Sequence, residues 1–282
     1  MRQSLLLAAV LGTFALPVTV LAADAAPAEA AATPAAPAAE AKSDHTFTYN
    51  IGLYSQYVFR GLTQTQENVA VQGGADYSHS SGFYAGTWAS NVSWLGDTGN
   101  YDGASIEWDI YGGYRNTILD TGIGYDVGLL QYVYPGINRR NPAAIDPFTS
   151  EVYAALSYRW ITGKVSVVAN NNAFAIGNAR GSWYAEGNAN VPIDDFGFTK
   201  DTGVTLNFHV GHQEFEGSDA SGVANSKYSY TDWKLGATKS WSNGINVGFY
   251  YTDTDAIKAN WLDLSGKFLG AEQFVGFIQK TF

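Results

Sequence analysis

Ile106-Glu107-Trp108-Asp109-Ile110-Tyr111-Gly112-Gly113-Tyr114-Arg115 places Ile106, Trp108, Ile110 and Tyr114 at even positions and Glu107, Asp109 and Arg115 at odd ones. Successive side chains of a strand point to opposite faces, so this run has one apolar and one charged face. The rhythm returns at Phe47, Tyr49, Ile51 and Leu53, and at Val152, Ala154, Leu156, Tyr158 and Trp160. It recurs at Val204, Leu206, Phe208 and Val210, and at Ile245, Val247, Phe249 and Tyr251. Period-two alternation predicts strands near 46–60, 68–78, 83–93, 105–115, 123–134, 150–160, 164–170, 182–191, 203–213, 229–240, 245–252 and 271–282.

The composition agrees. The 282 residues hold no Cys, 31 Gly, 8 Trp, 18 Tyr and 15 Phe, with a net charge of −10. The lack of Cys excludes disulfide scaffolds, zinc ribbons and thiol nucleophiles. Net acidity excludes nucleic acid as a partner, because that role needs clustered Lys and Arg. Beyond the extreme N-terminus no apolar run is long enough for a spanning helix, whereas a barrel's alternating signal averages out of hydropathy.

The connections then separate a sandwich from a barrel. Short turns such as His79-Ser80-Ser81-Gly82, Ile161-Thr162-Gly163 and Ser242-Asn243-Gly244 largely alternate with long runs rich in Gly, Asn, Asp and Ser. Residues 192–202 break the rule, being long where a short turn is expected. A soluble sandwich has no reason to put its long loops at one end; an outer-membrane barrel does. Tyr77, Tyr114, Tyr158, Trp160 and Trp241 fall at the opposite, short-turn end, where an aromatic girdle belongs. The fold read from the chain is therefore all-β: a transmembrane antiparallel up-and-down β-barrel of twelve strands, with ten or fourteen as alternatives, short periplasmic turns and long extracellular loops.

The organisation follows. Arg2, the apolar Leu5–Leu21 stretch and Val20-Leu21-Ala22 read as a signal peptide over 1–22. Residues 23–45 are an Ala/Pro-rich periplasmic linker and 46–282 the barrel. Phe274, Ile278 and Phe282 share one face of the last strand and form a barrel-insertion signal, with Lys280 where an apolar residue is usual. The expected location is the outer membrane of a Gram-negative bacterium. The expected partners are outer-membrane lipid and lipopolysaccharide, the barrel-assembly machinery through the C-terminal strand, and small polar solutes.

Tyr57-Val58-Phe59-Arg60-Gly61 with Thr63-Gln64-Thr65, then the run from Val71 to Ser78 and Gly82-Phe83-Tyr84-Ala85-Gly86, resemble the opening of the TorF-type porin family. Tyr125-Asp126-Val127-Gly128, Tyr134-Pro135-Gly136 and Glu151-Val152-Tyr153 continue the resemblance, which covers about Thr46 to Phe282. These are proteobacterial outer-membrane proteins of otherwise unknown function. The resemblance implies a barrel and the name of porin, and carries over no catalytic residue, cofactor or defined substrate.

Candidate chemistry is sparse. There is no Gly-x-Ser-x-Gly elbow, phosphate loop or His-Glu-x-x-His, and no nucleotide, metal or prosthetic group is implied. His209 and His212 lie three apart on a strand and cannot share a metal. Asp253-Thr254-Asp255 lacks the Gly and later Glu of a calcium loop. By parity the inner wall carries Asp76, Glu107, Asp109, Asp126, Glu151, Glu186 and Asp232 against Arg60, Arg115, Arg159 and Lys234. Seven acids and four bases give a lumen of net −3, and rings of charge select ions. The expected function is passive passage of small polar solutes or ions with a mild cation preference. A closed adhesin-type barrel displaying its loops is the alternative. A barrel hydrolase using His209 is the third reading, and no enzyme is expected.

Overall fold

The computed structural model describes residues 43–197 and 199–282. The expected signal peptide and nearly all of the Ala/Pro linker lie outside these residues. The strands are β1 His45–Tyr54, β2 Ala70–His79, β3 Phe83–Asn91, β4 Ile106–Thr117, β5 Ile123–Val133 and β6 Thr149–Tyr158. They continue as β7 Ile161–Val168, β8 Trp183–Pro192, β9 Val204–Glu214, β10 Tyr230–Ser240, β11 Ile245–Thr254 and β12 Gln273–Thr281. Each pairs antiparallel with its neighbours in sequence. Closure comes from β1 against β12, with Leu53 opposite Ile278.

Alternation sets which face is which. On β4, Trp108 is 43% exposed and Asp109, one residue on, 0%. Leu53, Val71, Leu129, Leu156, Val210, Leu235, Phe249 and Phe274 are likewise exposed on the outer face. So continuous an apolar exterior around a closed barrel suits hydrocarbon, not water. Closure also leaves no unpaired sheet edge, the condition for crossing a bilayer with strands.

The connections confirm the asymmetry. The loops 55–69, 92–105, 134–148, 169–182, 215–229 and 255–272 all lie at one end. The turns at 80–82, 118–122, 159–160, 193–203 and 241–244 lie at the other, with Tyr77, Tyr114, Tyr158, Trp160 and Trp241 beside them. The irregular long turn is gathered around one carboxylate. After the 3-10 turn Ile193–Phe196, the Asp194 carboxylate accepts hydrogen bonds from the Thr199 and Thr202 hydroxyls and from the Thr202 and Gly203 N–H groups. Desolvation pushes the Asp194 pKa upward, but these donors outweigh it and hold the group below its ordinary value.

The first strand is shorter than its alternation suggests. It ends at Tyr54, and residues 55–69 form a sixth long loop instead of a continuation to residue 60. All six loops join in a ring over the barrel mouth. Ser93 N donates to Gln64 O, and Thr63 N to Leu269 O. Tyr101 Oη donates to Ile145 O, Asn225 Nδ2 to Gly177 O, and Asn260 Nδ2 to Lys227 O. Leu95, Ala173, Ala179 and Phe215 are buried beneath this ring.

Candidate functional site in the barrel lumen

The inner wall carries Asp76, Glu107, Asp109, Asp126, Glu151, Glu186, Asp232, Arg115 and Lys234, as parity predicted. Arg159 does not belong there. Tyr158 pairs with Ile161, so Arg159 and Trp160 form a two-residue turn, and Arg159 is exposed with φ 54°. Period two cannot be carried past the end of a strand. Lys164 is a basic residue that the sequence reading missed: it lies on β7 directly across from Glu186, its ammonium over the Tyr153 ring at 4.6 Å. The strand begins at Ile161, three residues before Lys164. The inner set remains seven acids to four bases.

Arg60 is in the lumen, but a loop brings it there. Val58 pairs with Thr63 and Phe59 with Leu62, making a miniature hairpin whose two turn residues, Arg60 and Gly61, both have positive φ (47° and 77°). That is the requirement of a type I′ turn, for which Gly is suited and Arg is not. The tip crosses the whole barrel. From the β1–β2 connection, Arg60 reaches Glu151 on the far wall, with Nη1 to Oε1 at 2.9 Å and Nη2 to Oε2 at 2.8 Å. Nη1 also donates to Gln213 Oε1 on β9 at 2.7 Å. Nearer its root the loop ties Tyr57 Oη to Glu107 Oε1 at 2.7 Å, and Gln56 Nε2 to Gln273 Oε1 at 2.8 Å. Gln56, Tyr57, Val58, Arg60, Leu62 and Thr63 are all buried. The segment plugs the loop-side half of the lumen.

Gly61 fits because it has no side chain. A Cβ there would stand 2.4 Å from Thr254 Cγ2 and 2.7 Å from Asp232 Cβ. Gly61→Val adds left-handed strain of roughly 1–2 kcal/mol to that overlap, so the tip should be unseated. New protease cleavage within residues 55–69, with the strands still protected, is the expected readout; an uncleaved loop would show that the tip tolerates the branch.

Two further groups line the wall. His209 Nε2 faces Asp232 Oδ1 at 2.9 Å and Tyr184 Oη at 2.9 Å, while Nδ1 faces Asn188 Oδ1 at 2.8 Å. Tyr184 Oη donates to Asp232 Oδ2 at 2.7 Å. Both ring nitrogens are committed to wall residues, and the hydroxyl beside Nε2 is that of Tyr184, which itself donates to Asp232. His212 faces the other way, toward Thr231 and Glu214. Toward the turn end, Tyr111 Oη donates to Asp76 at 2.6 Å and Tyr84 Oη to Asp126 at 2.5 Å, and the Arg115 guanidinium lies over the Tyr84 ring at 4.9 Å.

Asp109 is different. It is fully buried, its strand neighbours across the sheet are Trp88 and Tyr132, and neither carboxylate oxygen has a hydrogen-bond partner among the described residues. Glu107, two residues away on the same face, accepts from Tyr57 and from Tyr134 Oη at 3.0 Å.

A closed ring of twelve antiparallel strands, apolar outside and charged inside, defines a transmembrane β-barrel. The family model described as "Bacterial protein of unknown function (Gcw_chp)" matches residues 38–282, and the chain belongs to that family. No curated protein matches it by sequence. Among solved structures it is similar to a KdgM porin at 6% identity and TM-score 0.47, covering 83% of this chain and 99% of that one. It is similar to the NanC porin at 10% identity and TM-score 0.47, covering 84% and 99%. Pseudomonas aeruginosa OccD3 (OpdP) aligns at 13% identity and TM-score 0.41, covering 87% of this chain and 61% of that one. At such values the architecture described above rests on this chain's own strand pairing.

Proposed function

We propose that the protein is an outer-membrane channel for the passive diffusion of small polar solutes and ions, mildly cation-preferring, whose loop-side half is plugged by its own first loop. The observation that carries this reading is an inner wall of seven acids and three bases crossed by one tethered hairpin that carries a fourth base, Arg60. Charges are a poor filling for a solid core, since each must be desolvated and paired. They suit a wall that water and ions reach when the hairpin withdraws. The acidic excess attracts cations and sets the selectivity. Within this reading Phe274, Ile278 and Phe282, all exposed on the outer face at the last strand, address the barrel-assembly machinery. Lipid and lipopolysaccharide contact the apolar exterior, and the TorF-type resemblance supports the same reading.

Single-channel recording of the refolded chain in a planar bilayer under a KCl gradient tests the proposal. Stepwise currents with a reversal potential on the potassium side are the expected result. Anion-side reversal would keep the channel and overturn the charge argument. The loop ring over the mouth favours a second reading, a closed barrel that displays its loops. That reading predicts a heat-modifiable barrel with no current, and loss of surface adhesion when the loops are shortened.

A further inference from the structure

The Arg60 guanidinium sits in a receptor whose polar groups all belong to the barrel wall. Glu151 on β6 offers both oxygens in the plane of the guanidinium fork, the two-bond geometry that distinguishes Arg from Lys. Tyr132 Oη on β5 donates to Glu151 Oε2 at 3.2 Å and steadies the carboxylate. Gln213 on β9 is oriented by its own strand surroundings: Nε2 donates to Trp183 O at 3.1 Å and Glu214 O at 3.3 Å. Oε1 is thereby turned toward the cation before any cation arrives. The Tyr184 ring on β8 lies 4.3 Å from the Arg60 Cζ and the Phe174 ring of the 169–182 loop 5.6 Å from it, rings that stay when the hairpin leaves, while the hairpin's own Phe59 adds a third at 4.8 Å. Glu151, Gln213, Tyr132 and Tyr184 are all buried.

The occupant, by contrast, is held at a disadvantage. Arg60 takes a positive φ of 47° in the turn, a conformation costing an L residue roughly 1–2 kcal/mol. It hangs on a tether that enters from the opposite wall. A small cavity with room for about one water adjoins it, lined by Arg60, Gly61, His209, Asp232, Lys234 and Tyr250 among others. A preformed acceptor set filled by a strained, tethered ligand is the arrangement of a binding site closed by an internal mimic.

We propose that this cage is a binding site for small guanidinium-bearing solutes, and that Arg60 is its built-in competitor. The proposal rests on the channel reading for the solute's path, but not for the binding chemistry. With Arg60 in place the site is shut. When the hairpin withdraws, a free guanidinium takes the same fork and the same two rings. Alkylammonium ions, which lack two parallel N–H donors, satisfy Glu151 less well.

The test uses the full chain with Arg60→Ala, and methylguanidinium and methylammonium chlorides at equal ionic strength as probes. Thermal unfolding in detergent and current in planar bilayers are read in parallel. Methylguanidinium should raise the midpoint of the variant, and lower its current, at about one tenth of the methylammonium concentration, the ratio that one lost charge-assisted hydrogen bond gives. The wild type should respond to neither, and Arg60→Ala/Glu151→Gln should lose the response. Equal potency of the two ions, or a response that survives Glu151→Gln, would overturn the site. If Arg60→Ala does not fold, Arg60→Lys keeps a charge on the tether without the fork, and methylguanidinium should still displace it in preference to methylammonium. A selective thermal response without current in any variant would remove the channel and leave the site. Currents without discrimination would do the reverse.

Discussion

Replacing residues 56–68 with a short Gly-Ser linker should raise single-channel conductance several-fold and move the reversal potential further toward potassium. Tyr54 and Ala70 are paired partners at the ends of β1 and β2, so a short linker closes the hairpin without disturbing the wall. The deletion removes Arg60 and Tyr57, the side chains that bind Glu151 and Glu107, and admits water to carboxylates that are buried now. Hydration takes over the role of those partners, so the barrel keeps its fold. The lumen then holds seven acids against Arg115, Lys164 and Lys234, a net of −4. Size permits the change: eight strands are filled by their own side chains and sixteen leave an open channel, so in a barrel of twelve a single inserted loop decides the state. Unchanged current would place the closure in the ring formed by the other five loops, with the first loop a structural filler.

Most of the barrel was legible in the sequence because its signals are local. The alternation at Ile106–Arg115 gave both the strand and the inward direction of Glu107 and Asp109, and the same parity placed Asp232 and Lys234. Turn chemistry at Ser242-Asn243-Gly244 marked a hairpin that the structure has. Where the signal failed, the cause was a strand end. Arg60 and Arg159 both lie just past one, where backbone curvature replaces period two, and both take positive φ. Arg60 still reached the lumen, by a route that parity does not describe. Its hairpin can be seen in hindsight in Val58-Phe59-Arg60-Gly61-Leu62-Thr63, two short, largely apolar arms about a turn ending in Gly. Its partners Glu151 and Gln213 lie 91 and 153 residues away, and no local pattern connects them. Tyr184, Tyr132 and Asn188 were missed for the same reason: a tyrosine or asparagine on an inner face carries no mark of the ion or imidazole it will meet.

Asp109→Leu should stabilise the barrel by about 1–3 kcal/mol, the usual desolvation cost of a buried polar group left unpaired. Both Asp109 oxygens are buried without a hydrogen-bond partner among the described residues. Leucine has nearly the same shape, and Trp88 and Tyr132 are the neighbours it would meet across the sheet. The thermal midpoint of the variant in detergent should rise by several degrees; a fall would mean that Asp109 is satisfied by water or an ion in solution. The same substitution takes one acid from an inner set of net −3, so the cation preference of the channel should weaken while stability grows. Opposite movement of the two readouts is what distinguishes a functional carboxylate from a packing defect. A carboxylate with both oxygens buried and unpaired belongs where stability has been traded for function. If stability rises and selectivity does not move, Asp109 plays no part in conduction, and the acidic excess acts through Asp76, Asp126 and Glu186 nearer the turn end and on the facing wall.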